Sequence, residues 1–283
     1  MAKTLTIAVC SHNKNFLLLD TIKECQKFRG NDVKLIIVHS GNEGISISSN
    51  LADMYYFNEK MGGLSTKRNF AISKCTTDYI AFMDDDCIPG EGWIEYILSG
   101  FKKDENVKSV VGRIKQYTDK GSQHFDKRLD YDKMGDNPRL IRLTAFRFVN
   151  IMKIGTGGNM AFCADIFAKI GNFDENLGAG SIAYAGEDKD ILYRVLKAGY
   201  SIYYEPKAVI YHNDTIGENN LLYMAYRYSY GTQAILRKHG DFCCIILYLL
   251  GLSKYLLEYI FSISDKARRQ IVFNLLKGLL GIR

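Results

Sequence analysis

The sequence predicts an α/β fold in which helices flank a mostly parallel central sheet. Short apolar strands alternate with helical patterns through the first hundred residues. The strands are apolar throughout, which is typical of parallel strands buried on both faces, and they end in polar or glycine-containing turns. With 283 residues, 47% of them hydrophobic, the chain can bury a substantial core, and this composition excludes a disordered protein.

The elements follow one another in a regular order. The strand "LTIAVC" is followed by a helix over residues 16–28 and then by the strand "VKLIIVHS". "STKRNFAISKC" predicts the next helix and "DYIAFM" the next strand, which runs directly into Asp84, Asp85 and Asp86. In the second half, Glu187 and Asp188 begin a helix, and a strand through Tyr203 leads to His212. We therefore predict a domain over residues 1–215 and a helical tail over residues 216–283.

The tail carries most of the net charge. From residue 216 onward nine lysines and arginines face four acids, in a chain of formal charge +6. "DFCCIILYLLGLSKYLLEYIF" is about long enough to cross a bilayer, but Lys254 and Glu258 interrupt it, which disfavours a transmembrane helix. The following segment places aliphatic residues of 271–280 at helical spacing among basic residues. This pattern predicts an amphipathic helix that either lies on an anionic membrane surface or packs on protein. Nucleic acid is disfavoured, because the basic residues are interleaved with aliphatic ones.

Cysteine usage bears on the compartment. The seven cysteines form no C-x-x-C pair, and no cleavable signal peptide is recognised before the first strand. We expect a reducing, cytoplasmic location in which the cysteines are buried as small apolar residues.

The three aspartates at the end of a strand predict a metal site. Ligands of open α/β sheets bind at this edge, and adjacent carboxylates repel one another unless a cation compensates them. Asp84 and Asp86 can face the same side of an extended segment, and oxygen ligands favour Mg²⁺ or Mn²⁺. The alternative is a solvated acidic turn that caps the next helix.

Seven segments in chain order carry a resemblance to a known family: "AVCSHNKN", "GLSTKRNFAI", "YIAFMDDDCIP", "GTGGNMAF", "IGNFDENLG", "GEDKDILYRVLKAGY" and "YEPKAVIYH". Over residues 4 to about 240, the chain resembles family 2 glycosyltransferases, in particular bacterial enzymes of surface-polysaccharide assembly. The resemblance implies a GT-A fold, similar to a Rossmann sheet, and inverting, nucleotide-sugar-dependent chemistry. The site residues named next follow from it.

The resemblance assigns the metal and the base. Asp86 is the direct metal ligand, while Asp84 contacts the donor ribose or reaches the metal through water. His212 completes the metal shell, a role that favours Mn²⁺, or else it is a partly buried structural histidine. Asp188 is the base that deprotonates the acceptor hydroxyl, with Glu187 as an orienting neighbour or as the alternative base. Both acids also suit the positive end of a helix dipole.

The same resemblance predicts the residues that contact the nucleotide-sugar donor. They are Ser11, Asn13, Lys67, Arg68, Asn69, Asp84, Asp85, Gly157, Gly158 and Asn159. Glycines such as those of "GTGGN" let backbone amides approach a ligand closely. The alternative interpretation of Arg68 is a solvated charge on the surface of its helix.

One departure from the family concerns the donor. Where relatives place an acid after the second strand, this chain has His39 and Ser40. A UDP-sugar is the expected donor, with dTDP- and GDP-sugars as alternatives. The chain lacks the Q/R-x-x-R-W signature of polymerising members, which predicts transfer of a single sugar.

The acceptor is expected to be a glycan or a lipid-linked molecule. Residues 113–156 interrupt the regular pattern with charged and aromatic residues; the resemblance implies that they shape the acceptor side of the site, and the alternative is a solvated excursion. The expected location is cytoplasmic and peripheral, on the inner face of the cell membrane. Two other classes stay open. One is a nucleotidyltransferase, although such enzymes usually carry a basic glycine-rich loop after the first strand and "CSHNKN" is not such a loop. The other is a non-catalytic scaffold that binds a nucleotide-sugar.

Overall fold

The computed structural model describes residues 3–13, 17–45, 51–116, 134–142, 151–152, 154, 157–212, 218–240, 242–262 and 265–282. Within these ranges nine strands form one sheet. They are β1 (Leu5–His12), β2 (Val33–Ser40), β3 (Met54–Phe57), β4 (Tyr79–Asp84), β5 (Cys87–Pro89), β6 (Val107–Gln116), β7 (Arg139–Ile141), β8 (Asn159–Cys163) and β9 (Ser201–His212). Their order is β3-β2-β1-β4-β8-β6-β9-β5, and β7 also pairs with β9.

The helices of the described residues cover both faces of the sheet and form the C-terminal tail. They are α1 (Leu18–Gln26), α2 (Leu64–Lys74), α3 (Trp93–Phe101), α4 (Phe167–Ile170), α5 (Glu187–Lys197), α6 (Glu218–His239), α7 (Phe242–Phe261) and α8 (Lys266–Leu279). The predicted first strands and helices are therefore confirmed, with ends within a few residues of those expected.

Strands β1 to β4 form the parallel half of the sheet. Their registers pair Cys10 with Asp84 and His12 with Ser40, so the strands end together at one edge. Successive β1 residues belong to different core clusters: Ala8 packs on one side of the sheet, while Ile7 and Val9 pack on the other. This two-sided burial is the physical reason for the uninterrupted apolar runs.

The other half of the sheet is mixed. β8 runs antiparallel between β4 and β6, and both β5 and β7 are antiparallel to β9. These short strands carry too few residues for a recognisable period, so they were not predicted. Residues 113–116 belong to the segment expected to interrupt the regular pattern, but they continue β6, whose pairing with β9 extends to His212. Much of the remaining excursion, 117–133, 143–150, 153 and 155–156, lies outside the described residues.

In the tail, α8 packs its apolar stripe on α6. Val272 and Leu276 are buried, and the Ser229 hydroxyl of α6 donates a 2.6 Å hydrogen bond to the carbonyl of Leu275. Gly278 lies so close to α6 that an added Cβ would come within 2.5 Å of the Tyr226 carbonyl oxygen. Two roles were predicted for the amphipathic segment, contact with a membrane and packing on protein. In the structure α8 packs on protein.

Helix α7 occupies the segment in which a transmembrane helix was disfavoured. Among the described residues it is the helix whose length and composition suffice to cross a membrane, over Cys244–Phe261, and almost none of that window is buried. Lys254 and Glu258, the two charges that disfavoured a membrane-spanning helix, lie one turn apart. They form an ion pair in which Lys254 Nζ is 4.0 Å from Glu258 Oε1. The boundary predicted at residue 215 stays a prediction; α6 begins at Glu218.

Asp190 links the C-terminal tail to the rest of the chain through hydrogen bonds and ion pairs. It is fully buried in α5, and its carboxylate accepts hydrogen bonds from His239 Nε2 at 2.9 Å and from Lys238 Nζ at 3.1 Å, both at the end of α6. Arg194 Nε, one turn along α5, donates at 3.0 Å. Burial alone raises the pKa of Asp190, but the His239 hydrogen bond and the charges of Arg194 and Lys238 outweigh it and lower the pKa to about 2.

We expect Asp190→Asn to destabilise the fold in a pH-dependent manner. A carboxyl whose pKa falls from 3.8 to about 2 on folding contributes ~2 kcal/mol to the free energy of unfolding. Because the pKa is depressed in the folded state, this contribution is present above about pH 4 and disappears as the pH falls towards 2. Urea denaturation from neutral pH downward measures it. The exposed Asp165→Asn is the control, and equal stability of Asp190→Asn and wild type at neutral pH would contradict the assignment.

Candidate active site

Polar side chains gather at the edge where β1, β2 and β4 end. Asp84 is the last residue of β4, and Asp85 turns towards β1, where Ser11 Oγ donates a 2.5 Å hydrogen bond to its carboxylate. The Thr21 hydroxyl of α1 donates to the Asp85 carbonyl oxygen at 3.1 Å. Asp85 is thus braced against β1 and α1, whereas Asp84 and Asp86 contact other partners.

Asp86 and His212 meet although 126 positions separate them in the sequence: Asp86 Oδ1 lies 3.2 Å from His212 Nε2. The register of β5 and β9 pairs Cys87 directly with His212. Ligand atoms of Asp84, Cys87 and His212 all lie within 4.8 Å of one another. Carboxylate and imidazole groups in this arrangement fit a divalent ion such as Mn²⁺. Cys87 is an addition to the predicted set; burial raises the pKa of its thiol well above the usual range.

The glycine turn before β8 lies between the two acidic motifs. A Cβ on Gly158 would come within 2.4 Å of Asp84 Oδ2, and one on Gly157 would lie 2.9 Å from the Arg68 guanidinium and 3.1 Å from the Asp188 Cβ. No larger residue fits at either position without displacing these groups. The glycines therefore allow Asp84 and the α5 acids to approach each other.

Arg68 joins the two motifs from inside the protein. Its guanidinium donates to Glu187 Oε1 at 2.9 Å, to Asp84 Oδ1 at 3.3 Å and to the Gly157 carbonyl at 3.1 Å. The rings of Phe82 and Phe173 lie 5.7 and 5.5 Å from it. Since Arg68 is only 1% exposed, the alternative of a solvated helix charge is excluded.

The site is electronegative. Burial raises the pKa of the Asp84 carboxyl, and the Arg68 charge opposes the shift. Burial, reinforced by the neighbouring Asp188, likewise raises the pKa of Glu187, again against Arg68. One buried guanidinium thus lies among three carboxyl groups, an arrangement that a bound cation stabilises.

Asp188 lies in the first turn of α5, beside Glu187. Its Oδ1 accepts a 2.7 Å hydrogen bond from the Lys189 backbone N–H, and its Oδ2 lies 3.3 Å from Lys189 Nζ. Lys189 Nζ in turn donates to the Ile154 carbonyl oxygen at 2.6 Å. Glu187 forms an ion pair with Arg68, whereas Asp188 faces the glycine turn. The two acids therefore occupy different environments.

A buried lysine of α2, Lys67, lies against the end of β2. Lys67 Nζ donates to Ser40 Oγ at 3.0 Å and to the Gly62 carbonyl at 3.1 Å, and burial lowers the pKa of its ammonium group. Ser40 stands where the family places an acid. Its neighbour His39 is fully buried, with Nε2 3.0 Å from the Glu43 carbonyl oxygen. Asn13, with a φ of 59°, is exposed at the same edge.

Two predicted donor contacts are placed elsewhere. The buried Asn159 side chain accepts from Trp93 Nε1 at 2.9 Å and donates to the carbonyls of Ala208 and Arg113 at 2.8 and 2.9 Å. The Asn69 amide bonds the backbone N–H and carbonyl of Phe173. Both side chains hold neighbouring segments of the fold together, so the structure does not bring them to the donor side of the site.

Sequence reasoning missed Cys87 and the bridging role of Arg68. Cys87 directly follows the three aspartates, but its approach to His212 depends on β5, a strand of three residues. Arg68 and Glu187 are 119 positions apart, and nothing in the intervening sequence indicates their pairing.

A half-parallel sheet with acidic residues at its strand ends, facing a second acidic motif at a helix start, defines a glycosyltransferase of the GT-A fold. The family model described as "Glycosyl transferase family 2" matches residues 6–171, and the chain belongs to this family.

Known proteins agree with this assignment. The chain is 28% identical over 164 residues to the pre-mycofactocin glycosyltransferase of Mycobacterium tuberculosis, covering 53% of this chain and 30% of that protein. It is 25% identical over 254 residues to the chondroitin synthase of Escherichia coli, covering 76% of this chain and 35% of that protein. The chain thus spans about a third of the length of these relatives.

A solved structure shares the fold. A mannosyltransferase of Pyrobaculum calidifontis, in complex with GDP-Man and Mn²⁺, superposes with a TM-score of 0.61 over 99% of this chain and 87% of that chain. At 13% identity this likeness shows the fold alone.

Proposed function

We propose that this glycosyltransferase is inverting and metal-dependent, and that it moves one sugar from a nucleotide-sugar to a hydroxyl of a glycan or lipid-linked acceptor. The observation that carries the proposal is the placement of two acidic motifs on either side of one glycine turn. Asp84, Asp86 and His212 form one motif, and Glu187 with Asp188 forms the other. A single displacement needs this division: one motif for the departing diphosphate and one for the attacking hydroxyl.

The metal would be held by Asp86 and His212, with Asp84 beside them and Cys87 within reach. A divalent cation there neutralises the charge that grows on the leaving diphosphate. The mixed carboxylate and imidazole set supports Mn²⁺ over Mg²⁺. The bound Mn²⁺ of the Pyrobaculum structure supports a divalent ion in the same fold.

The residues of the chain have separate tasks in this proposal. Asp188 takes the proton from the acceptor hydroxyl, on the side of the glycine turn away from the metal motif. Glu187 is held by Arg68 and keeps the start of α5 in place. Ser11 positions Asp85, and Lys67, at the end of β2, contributes a positive charge towards the nucleotide.

A UDP-sugar is the first donor to test, and dTDP- and GDP-sugars are the alternatives. Ser40 replaces the acid that relatives place after β2, so the nucleotide contact at this position differs from theirs. We also propose that the tail brings the enzyme to the inner face of the cell membrane, where lipid-linked acceptors are presented.

Release of nucleoside diphosphate from a panel of UDP-, dTDP- and GDP-sugars tests the proposal, with Mn²⁺, Mg²⁺ or a chelator present. We expect slow hydrolysis of one donor, abolished by the chelator and faster with Mn²⁺ than with Mg²⁺. Absence of hydrolysis together with absence of metal-dependent donor binding by calorimetry would contradict the proposal and leave the scaffold alternative.

A further inference from the structure

Helix α7 exposes a continuous apolar face. Nine large apolar side chains between its first and last residues are solvent-exposed, among them Phe242 at 78%, Leu249 at 58%, Ile260 at 55% and Phe261 at 80%. At 100° per residue the nine positions fall within an arc of about 160°. Twenty residues make this face about 30 Å long. So large an apolar patch on one helix marks an interaction surface.

The opposite face of α7 is fastened to protein at both ends. Near its start Cys244 is fully buried, with Sγ 4.0 Å from the Tyr193 hydroxyl of α5. Near its end the Tyr259 ring lies 6.3 Å from the ring of Phe273 in α8, and the Arg269 guanidinium lies 4.7 Å from the Tyr259 ring centroid. A helix that crossed a bilayer would lose the contacts at one end. In this arrangement α7 presents its apolar face along its length, so a surface that covered this face would lie parallel to the helix.

The polar groups of α7 suit lipid. Ser253, the polar residue within the apolar arc, donates its hydroxyl to the Leu250 carbonyl at 3.0 Å, so it is satisfied inside the helix. Lys254, with a side chain 66% exposed, lies at the edge of the arc. Arg237 precedes the helix, and Lys266 and Arg268 follow it together with the acid Asp265, all exposed, so basic groups outnumber acidic ones there.

These charges favour a bilayer over a second copy of the chain. In a symmetric pair of these faces, basic residues of one copy would lie near basic residues of the other, and like charges repel. An anionic lipid surface instead attracts cations on the rim of an apolar face.

We propose that α7 is an in-plane membrane helix whose exposed face inserts into the headgroup and acyl boundary of an anionic bilayer. Helix α8, the segment predicted either to lie on a membrane or to pack on protein, keeps its stripe on α6. The inference deepens the membrane association in the proposed function. Its test needs neither donor nor acceptor. The membrane proposal can therefore fail while the proposed sugar transfer holds, and sugar transfer can fail while the membrane proposal holds.

Cosedimentation of the full chain with phosphatidylcholine vesicles, with and without phosphatidylglycerol, tests the surface. We expect binding that requires the anionic lipid and weakens with salt. The double variant Leu249→Gln, Leu257→Gln removes two exposed apolar side chains, and we expect its partition coefficient to fall about 100-fold. Because both residues are more than half exposed, their replacement leaves the thermal unfolding midpoint unchanged.

Leu280→Gln is the matched control, because Leu280 is also half exposed but follows α8. Its binding should equal that of wild type. Unchanged binding of the α7 variant, or loss of binding in Leu280→Gln, would overturn the assignment. So would a wild-type dimer, detected by sedimentation velocity, that the α7 variant dissociates while neither protein binds vesicles.

Alkaline carbonate distinguishes an in-plane helix from a spanning one. We expect carbonate to release the protein from vesicles, since an in-plane helix is held by a single face. Retention of wild type in the carbonate pellet would show that α7 leaves α8 and crosses the bilayer, which contradicts the in-plane arrangement.

Discussion

Asp86→Ala will reduce sugar transfer about 1000-fold, because loss of the bound cation removes several kcal/mol of charge stabilisation from the leaving diphosphate. Asp86 is a better choice than Asp84 for this test. Asp84 also receives a hydrogen bond from the buried Arg68, so its removal disturbs the fold as well as the metal. Asp86 has its carboxylate 3.2 Å from His212 and is a quarter exposed.

The measurement is the rate of nucleoside diphosphate release at saturating donor, together with Mn²⁺ binding followed by electron paramagnetic resonance. Wild type should bind one Mn²⁺ ion that Asp86→Ala binds far more weakly. Asp165→Asn is the control; its side chain is 76% exposed and follows β8 at the edge of the sheet away from the site. Full activity of Asp86→Ala, or Mn²⁺ binding equal to wild type, would refute the metal assignment.

Asp188→Asn will lower the turnover number about 1000-fold while donor and metal affinity stay unchanged, a loss within the range expected for a general base. Asparagine has the size of aspartate, and its oxygen can still accept the hydrogen bond from the Lys189 backbone N–H. The substitution therefore removes the basicity of the group and its 3.3 Å ion pair with Lys189 Nζ, and it keeps the size of the side chain. Turnover by wild type and variant, with donor affinity from calorimetry, measures the effect.

Glu187→Gln separates the two acids. Glu187 is the partner of a fully buried arginine, and weakening such a pair costs about 3 kcal/mol in the free energy of unfolding. We thus expect Glu187→Gln to unfold at lower urea concentration than Asp188→Asn, which loses the Lys189 Nζ ion pair but leaves the buried Arg68 with its partner. If Asp188→Asn kept its turnover and Glu187→Gln lost it without loss of stability, the roles would be reversed.

Three strands of the parallel half, and the positions of the two acidic motifs at element ends, could be predicted from the sequence. Buried parallel strands are apolar along their length, so β1, β2 and β4 are recognisable without their partners, and polar residues mark where they end. The acidic motifs lie at such ends, Asp84 at the end of β4 and Glu187 at the start of α5. In the mixed half β9 was predicted, whereas β5 and β7 were not predictable, because they have three residues each.

Asn159 and Asn69 show why motif membership does not give a side chain its direction. Both belong to segments that resemble donor-binding motifs, yet each amide faces neighbouring backbone and bonds it. A motif records which residue stands at a position. Whether that residue faces the ligand or the core depends on strands and loops far away in sequence, such as the Ala208 region of β9.

The amino-acid sequence alone determined the fold class, the two acidic motifs and the amphipathic nature of the tail, because each is encoded within a few consecutive residues. Folding decided which partners these local features have. Arg68 bridges Asp84 to Glu187, β5 brings Cys87 to His212, and α8 covers its stripe with α6, leaving the apolar face of α7 exposed. A pattern reveals that a face is apolar or a group is charged, but strand register and helix packing, which join distant segments, determine what that face or group meets.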